Sequence, residues 1–276
     1  MVKDFRILDL EQEKLNKAPT VQSDHRDFGQ GTGGVPEDAI YGITYQSICI
    51  NVPQYLGFLF ATAAKLGVLA IKRDVDATHG LEGVVTDAKN LLLANDTSIK
   101  EEDIVALINC TGLSAAKFLP ESEAAKLYPV RGQTILVKGS ASMARTFTQY
   151  HNFSDGSSEL VYVIPRPGSG TTILGGCKQS GNWDAEVDRE LSARIMERIQ
   201  RWGLAEELRT GEGGGFEVLE ESVGFRPARK GGPRVEVQDG GKVRGVWVVH
   251  SYGHAGAGYQ NSIGSAEKVV KLVGGL

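Results

Sequence analysis

Hydrophobic positions along this chain change period several times, and each change marks an element. The stretch "YGITYQSICI" at 41–50 alternates apolar and polar residues, as a half-buried strand does. After Pro53 the period lengthens. Tyr55, Leu56, Leu59, Phe60, Ala63 and Leu66 recur every three or four residues, which predicts a helix with one apolar face. "GVLAIKRDV" at 67–75 reads as a second strand, and "DIVALINCTG" at 103–112 as a strand buried on both faces that stops at a turn. Strands are expected at 131–137, 160–165 and 171–175. A helix over 186–202 then places Val187, Leu191, Ile195, Ile199 and Trp202 on one side. Strands near 216–225, 233–237 and 245–250 precede a final helix over about 262–273. No internal repeat is visible.

Helices and strands alternate between 41 and 112, whereas strands dominate from 130 to 250. That mixture predicts an α/β (α+β) chain in which an α/β layer joins a separate, mostly antiparallel sheet. Four stretches follow: a polar extended segment over 1–40, a mixed region over 41–130, a mainly antiparallel region over 131–240, and a return strand, glycine loop and helix over 241–276.

Composition narrows the picture. A length of 276 residues suits one large domain or two intertwined ones. A net charge of -4 and a pI near 5.8 argue against a general nucleic-acid or anionic-membrane surface. The 35 glycines exceed the usual share of ~7%, which points to tight turns and close backbone approaches. Three cysteines without a CxxC pair read as reduced and intracellular, with Cys49 and Cys110 expected in the core because both lie in apolar runs. No stretch of ~18 apolar residues predicts a membrane span. The first residues show no signal-peptide core, and the final "GGL" is no peroxisomal tripeptide.

Two glycine clusters compete for attention. "GQGTGG" at 29–34 fits GxGxxG through Gly29, Gly31 and Gly34, yet it follows "PTVQSDHRDF" rather than a buried strand, and Pro36 closes it. A dinucleotide fingerprint needs a strand before it and a helix after it, so this cluster is a loop. "VVHSYGHAGAGYQNSIGSAEKVV" at 248–270 has the right context: a buried strand, a glycine-rich bend, then a helix. Such a bend offers backbone N–H groups and a positive helix end to an electron-rich ligand. His250 and His254 flank the loop at i, i+4, but no helix face carries them and no third ligand is near in sequence, so no metal site is expected.

The pattern His-x-Tyr-Gly-x-small-small-x-Gly-x5-Gly-x-Ala, from His250 to Ala266, resembles the signature of the D-amino-acid oxidase family, which includes D-aspartate oxidases. "VGFRPARKGGPRVE" at 223–236, "VYVIPRPGSGTTILGGCKQSGNWD" at 161–184, "VRGQTILV" at 130–137 and "NCTGLSA" at 109–115 also look like that family, most of all its yeast-type members. The resemblance covers roughly residues 38 to 275.

It implies a partial FAD-binding Rossmann-like layer joined to an antiparallel substrate domain. It further implies oxidation of a D-amino acid to an imino acid, with hydride passing to the flavin. Reoxidation by O2 gives hydrogen peroxide, and water releases a 2-oxo acid and ammonia. By the same resemblance, Arg226 and Tyr162 hold the substrate carboxylate, as an Arg-Pro turn and a strand tyrosine can. Gly256 adds a substrate contact. Val75, Thr111, Gly112, Ala255, Gly256, Ala257, Gly258, Tyr259 and Gln260 contact FAD. Lys178 stands where D-aspartate oxidases carry an arginine, which suggests a preference for acidic substrates.

The implied partners are the D-amino acid and O2, a homodimer is compatible, and the implied location is peroxisomal or cytoplasmic. One departure is plain. Family members begin with a βαβ unit carrying GxGxxG, which this chain does not show, and strands 67–75 and 103–110 are therefore expected to present raw edges. A truncated or non-catalytic homologue that binds no FAD is the main alternative, and a sarcosine- or glycine-oxidase type of flavoenzyme is the other.

Overall fold

The computed structural model describes residues 3–10, 39–152, 158–210 and 214–276. The first half of the chain runs β1 (Lys3–Ile7), β2 (Ile43–Gln46), α1 (Val52–Lys65), α2 (Gly80–Asn95), β3 (Ala106–Asn109), α3 (Glu121–Ala124) and β4 (Leu127–Lys138). Next come β5 (Arg145–Asn152), β6 (Ser158–Arg166), β7 (Thr171–Ser180), α4 (Arg189–Arg201), β8 (Arg209–Thr210) and β9 (Gly215–Phe216). The chain closes with β10 (Val218–Arg229), β11 (Arg234–Val237), β12 (Trp247–Tyr252) and α5 (Ser262–Gly274). These elements form two units. One holds residues 1–62, 132–179 and 184–224, the other 63–131, 180–183 and 225–276. The "GQGTGG" cluster and most of the polar segment expected over 1–40 lie outside the described residues.

In the first unit, β5, β6 and β7 are antiparallel neighbours within a sheet of order β10-β4-β7-β6-β5. Helix α4 covers one face. Its spacing works as expected: Leu191, Ile195, Ile199 and Trp202 pack on Ile135, Val137, Val161, Val163, Leu174 and Cys177. Each fully buried aliphatic side chain of this kind contributes about 1.5–3 kcal/mol. The helix start is pinned twice. The Asp188 carboxylate caps it, accepting from the Leu191 N–H at 2.9 Å. Fully buried Gln133 donates to the Asp188 carbonyl at 2.7 Å and to Ser192 Oγ at 2.8 Å, and accepts from the Asp188 N–H at 2.9 Å. That amide spends its polar groups on the cap, so its burial is tolerated.

In the second unit, β11, β12 and β3 form a three-stranded sheet, β12 antiparallel to β11 and parallel to β3. Helix α2 packs beneath it, with Val85 against Val246 and Val248, and Val84 among Ala115, Phe118, Leu119 and Tyr252.

Several expectations need correction. Residues 67–75 form no strand, and Val75 lies exposed in irregular chain. A strand requires a neighbour for its backbone groups. Among the described residues β3 ends its sheet and pairs only with β12. For the same reason β3 is not buried on both faces: Ile108 is 39% exposed, and Cys110 just beyond it is exposed rather than core. Cys49 is half-buried, and the buried thiol is Cys177. Helix α1 forms where the period places it, yet buries no residue of its apolar face. Five elements had no expectation: β1, α2, α3, β5 and β8.

Candidate active site

Two parallel strands of the second unit end side by side. β3 stops at Asn109 and turns through Thr111 and Gly112, the latter at φ +60. β12 stops at Tyr252 and enters the glycine loop through Gly253 at φ +86. Ligands of open α/β layers bind beyond the carboxyl ends of such strands.

The tail of β10 runs between the two turns. Pro227 Cβ lies 3.5 Å from where a Cβ on Gly112 would be. Arg226 Cδ lies 3.7 Å from the same position on Gly256. Ala228 bridges His254, and Arg229 Cβ would stand 2.8 Å from a Cβ on Gly253. Gly253 is therefore required twice, by its positive φ and by this contact. The structure thus brings together Arg226, Gly112 and Gly256, residues distant in sequence. Arg226 is half-buried, and its guanidinium reaches the Arg131 carbonyl at 3.4 Å.

The loop itself is a single tight turn over Ala255–Ala257, closed by the Ala257 N–H on the His254 carbonyl at 3.0 Å. Ala255 holds φ +49, a conformation alanine rarely adopts. Gly256 is exposed, and a Cβ there would meet only the Arg226 stem. One on Gly258 would meet only His254, at 4.0 Å. The loop therefore shows bare backbone outward, a surface on which a flat heteroaromatic ring can lie and which side chains would cover. The residues present fit a flavin ring. Tyr259 and Gln260 are exposed between this turn and α5.

Behind the turns lies a buried hydrogen-bond network that the sequence reading missed. Asn109 Oδ1 accepts from the Thr111 N–H at 3.1 Å and its hydroxyl at 2.8 Å. The Asn109 amide nitrogen then points at His250 Nδ1, 3.1 Å away, so that nitrogen is the acceptor. His250 Nε2 consequently carries the proton and donates to Gln238 Oε1 at 2.8 Å. The Thr111–Gly112 turn is held to β12 through a neutral imidazole. Burial, reinforced by nearby Arg234, pushes His250 down from 6.5 to about 4. Glu236 and Glu123 pull weakly the other way.

The pH dependence follows. Between those two values the unfolded chain takes up a proton that the folded chain refuses. This stability is present above pH 6.5 and is lost as pH falls toward 4. Thermal unfolding midpoints should decline through that window in the wild type. His250→Gln should flatten the decline, and a parallel decline in both proteins would refute the assignment.

The second arm of the network centres on Glu123. Its carboxylate accepts from Arg229 Nε at 2.6 Å and Nη2 at 3.1 Å, from Lys126 at 2.9 Å, and from the Tyr252 hydroxyl at 3.0 Å. The Arg229 hydrogen bonds hold Glu123 down at about 2 against the opposing effect of burial. Tyr252 in turn accepts from Arg234 at 3.2 Å, and Arg234 reaches Gln238 at 3.3 Å. His250 and Tyr252 alternate on one face of β12, with rings 5.6 Å apart edge to face. That alternation was a readable signal. Glu123, in the charged run "PESEAAK", gave none.

Tyr162 and Lys178 belong to the first unit. Cys177 enters the core under α4, so Lys178 turns to the opposite face, where it is exposed. Tyr162, between core residues Val161 and Val163, takes that same outer face and lays its ring over Gly175 and Gly176. A register slip separates the two pairs: Glu159 pairs with Cys177, whereas Tyr162 pairs with Gly175. Among the described residues no cluster of three or more His, Cys, Asp or Glu side chains is placed to hold a metal.

Known proteins resemble this chain in sequence. The family model described as FAD dependent oxidoreductase matches residues 13–272. A D-amino-acid oxidase of Fusarium vanettenii is 35% identical over 84% of this chain and 59% of its own length. One of Schizosaccharomyces pombe is 37% identical over 86% of this chain and 61% of its own. A D-aspartate oxidase of Talaromyces thermophilus is 30% identical over 87% of this chain and 56% of its own. The chain spans about 60% of the length of the curated relatives it matches. A model match reaching from residue 13 to residue 272 leaves one assignment: the chain belongs to the FAD dependent oxidoreductase family.

Proposed function

We propose that the protein oxidises D-amino acids to 2-oxo acids, ammonia and hydrogen peroxide with FAD, and that this chain supplies the flavin loop and the substrate-carboxylate clamp. The observation that carries the reading is Arg226 against Gly256, beyond the carboxyl ends of β3 and β12. A guanidinium takes a carboxylate through two parallel N–H bonds, and a backbone-only loop beside it leaves room for a ring. Bound FAD would accept the hydride and return the electrons to O2.

The chain's own part is binding and orientation. Arg226 fixes the carboxylate end of the substrate, so that one enantiomer alone aims its Cα–H at the ring. Residues Ala255 to Gln260 would hold the flavin ring on their backbone, and the Thr111–Gly112 turn, braced by Asn109 and His250, would back the adenosine half.

Protein purified in the presence of FAD should be yellow and should release hydrogen peroxide with D-alanine or D-aspartate. A flavin-loaded protein that responds to sarcosine or glycine, but to no D-amino acid, would overturn the reading.

Lys178 supports a finer statement, a preference for acidic D-amino acids. Its ammonium shares the outer sheet face of Tyr162 and has no ion-pair partner among the described residues. Exposure limits what one such cation contributes to about 1 kcal/mol, roughly fivefold. Lys178→Met should therefore slow D-aspartate and D-glutamate severalfold while leaving D-alanine unchanged. Equal effects on both substrate classes would place Lys178 outside specificity.

A further inference from the structure

We infer that Glu123 is a positioning residue for the carboxylate clamp: its single carboxylate ties β10 to β12 and thereby sets Arg226 against the glycine loop. The inference rests on the reading of Arg226 as that clamp. Two strands meet along a short seam, Arg226–Arg229 on one side and Gly253–Gly256 on the other. Ala228 bridges His254 in the middle, and Arg226 approaches Gly256 at the far end.

Glu123 grips both sides at the near end. It holds Arg229 through two hydrogen bonds and the hydroxyl of Tyr252, the residue before Gly253, through a third. Both charged partners are nearly buried, with side-chain exposures of 11% for Glu123 and 13% for Arg229. In so little water the pair is stiff, and the strands cannot slide without breaking it. Arg229 is fixed further by donating to the Gly232 carbonyl at 3.0 Å. Glu123 touches neither Gly256 nor Arg226 in these contacts and acts through Arg229 and Tyr252. Lys126 binds the same carboxylate from its own helix side, with its side chain 45% exposed, and so ties neither strand.

This difference provides the test. The full chain is treated with phenylglyoxal, and modification of Arg226 is followed by peptide mass analysis. Glu123→Gln keeps the shape but removes the charge, and should speed modification at Arg226 at least fivefold with the fold retained by circular dichroism. Glu123→Asp keeps the charge and should stay within about twofold of wild type. Lys126→Ala should change nothing. Tyr252→Phe removes one tie only and should give an intermediate rate, a second route should the Gln variant fail to fold.

Unchanged Arg226 reactivity in both Glu123→Gln and Tyr252→Phe would overturn the inference. So would an acceleration by Glu123→Asp equal to that by Glu123→Gln, or one by Lys126→Ala. The readout needs neither flavin nor substrate, so failure of the oxidase reading would show separately, in the peroxide assay.

Discussion

Alanine at position 176 is expected to cost the first unit about 3 kcal/mol, the upper end of what overpacking usually costs, and to displace Tyr162. A Cβ on Gly176 would stand 2.5 Å from the Tyr162 hydroxyl oxygen, 2.8 Å from the ring carbon that bears it, and 2.9 Å from the Gln133 carbonyl oxygen. The tyrosine can swing aside. The carbonyl cannot, because it belongs to β4, whose Gln133 side chain is committed to the Asp188 cap. The two contacts can be separated by a double mutant. In a Tyr162→Ala background the cost of Gly176→Ala should fall, since the ring is gone, yet remain above about 1 kcal/mol because the backbone contact persists. Denaturant unfolding of the four proteins measures both terms. A cost below about 0.5 kcal/mol in the wild-type background would mean that β7 has slack the structure does not show.

That glycine pair also illustrates what the sequence made readable. "GG" before a cysteine in a strand signals close approach of something, and the approaching group proves to be a tyrosine already singled out for its chemistry. Helix α4 was legible over most of its length, because Leu191, Ile195, Ile199 and Trp202 repeat at the helical period and all four are buried, whereas Val187 falls before its start at Arg189. The same period led less far in α1, where the apolar face forms but none of its residues is fully buried. Periodicity reports that a face exists, while what lies against it depends on contacts distant in sequence. Helix α2 carries a readable spacing in Leu81, Val84, Val85, Ala88 and Leu92, interrupted by charges that weaken it.

The site divides in the same way. Arg226, Gly256 and Gly112 could be named from motifs, and the structure gathers them. What braces them could not. Glu123 and Asn109 gain their roles only from strand pairing, which places Asn109 opposite His250 in the β3–β12 register. Glu123 sits in a run of charges that, taken alone, describes a solvated helix. A buried polar network is invisible to local pattern because its members satisfy one another across the fold rather than along the chain.

Replacing Arg226 with leucine should weaken binding of a D-amino acid by about 3 kcal/mol or more, on the order of a hundredfold, in flavin-loaded protein. Leucine fills the stem's volume against Gly256, where Arg226 presents Cδ at 3.7 Å, so the loop should keep its place. The fold should tolerate the change too. Circular dichroism of the leucine variant checks that, since the half-buried guanidinium also contacts the Arg131 carbonyl at 3.4 Å. The loss should therefore fall on the substrate carboxylate, which would be left desolvated beside an apolar side chain. It should appear as a raised Michaelis constant for every D-amino acid tested, with flavin content unchanged. Arg226→Lys should recover part of the loss, because an ammonium restores the charge but not the two parallel N–H bonds. Loss of flavin along with substrate would mean that Arg226 serves the loop rather than the carboxylate. An unchanged Michaelis constant in the leucine variant would remove Arg226 from the clamp altogether.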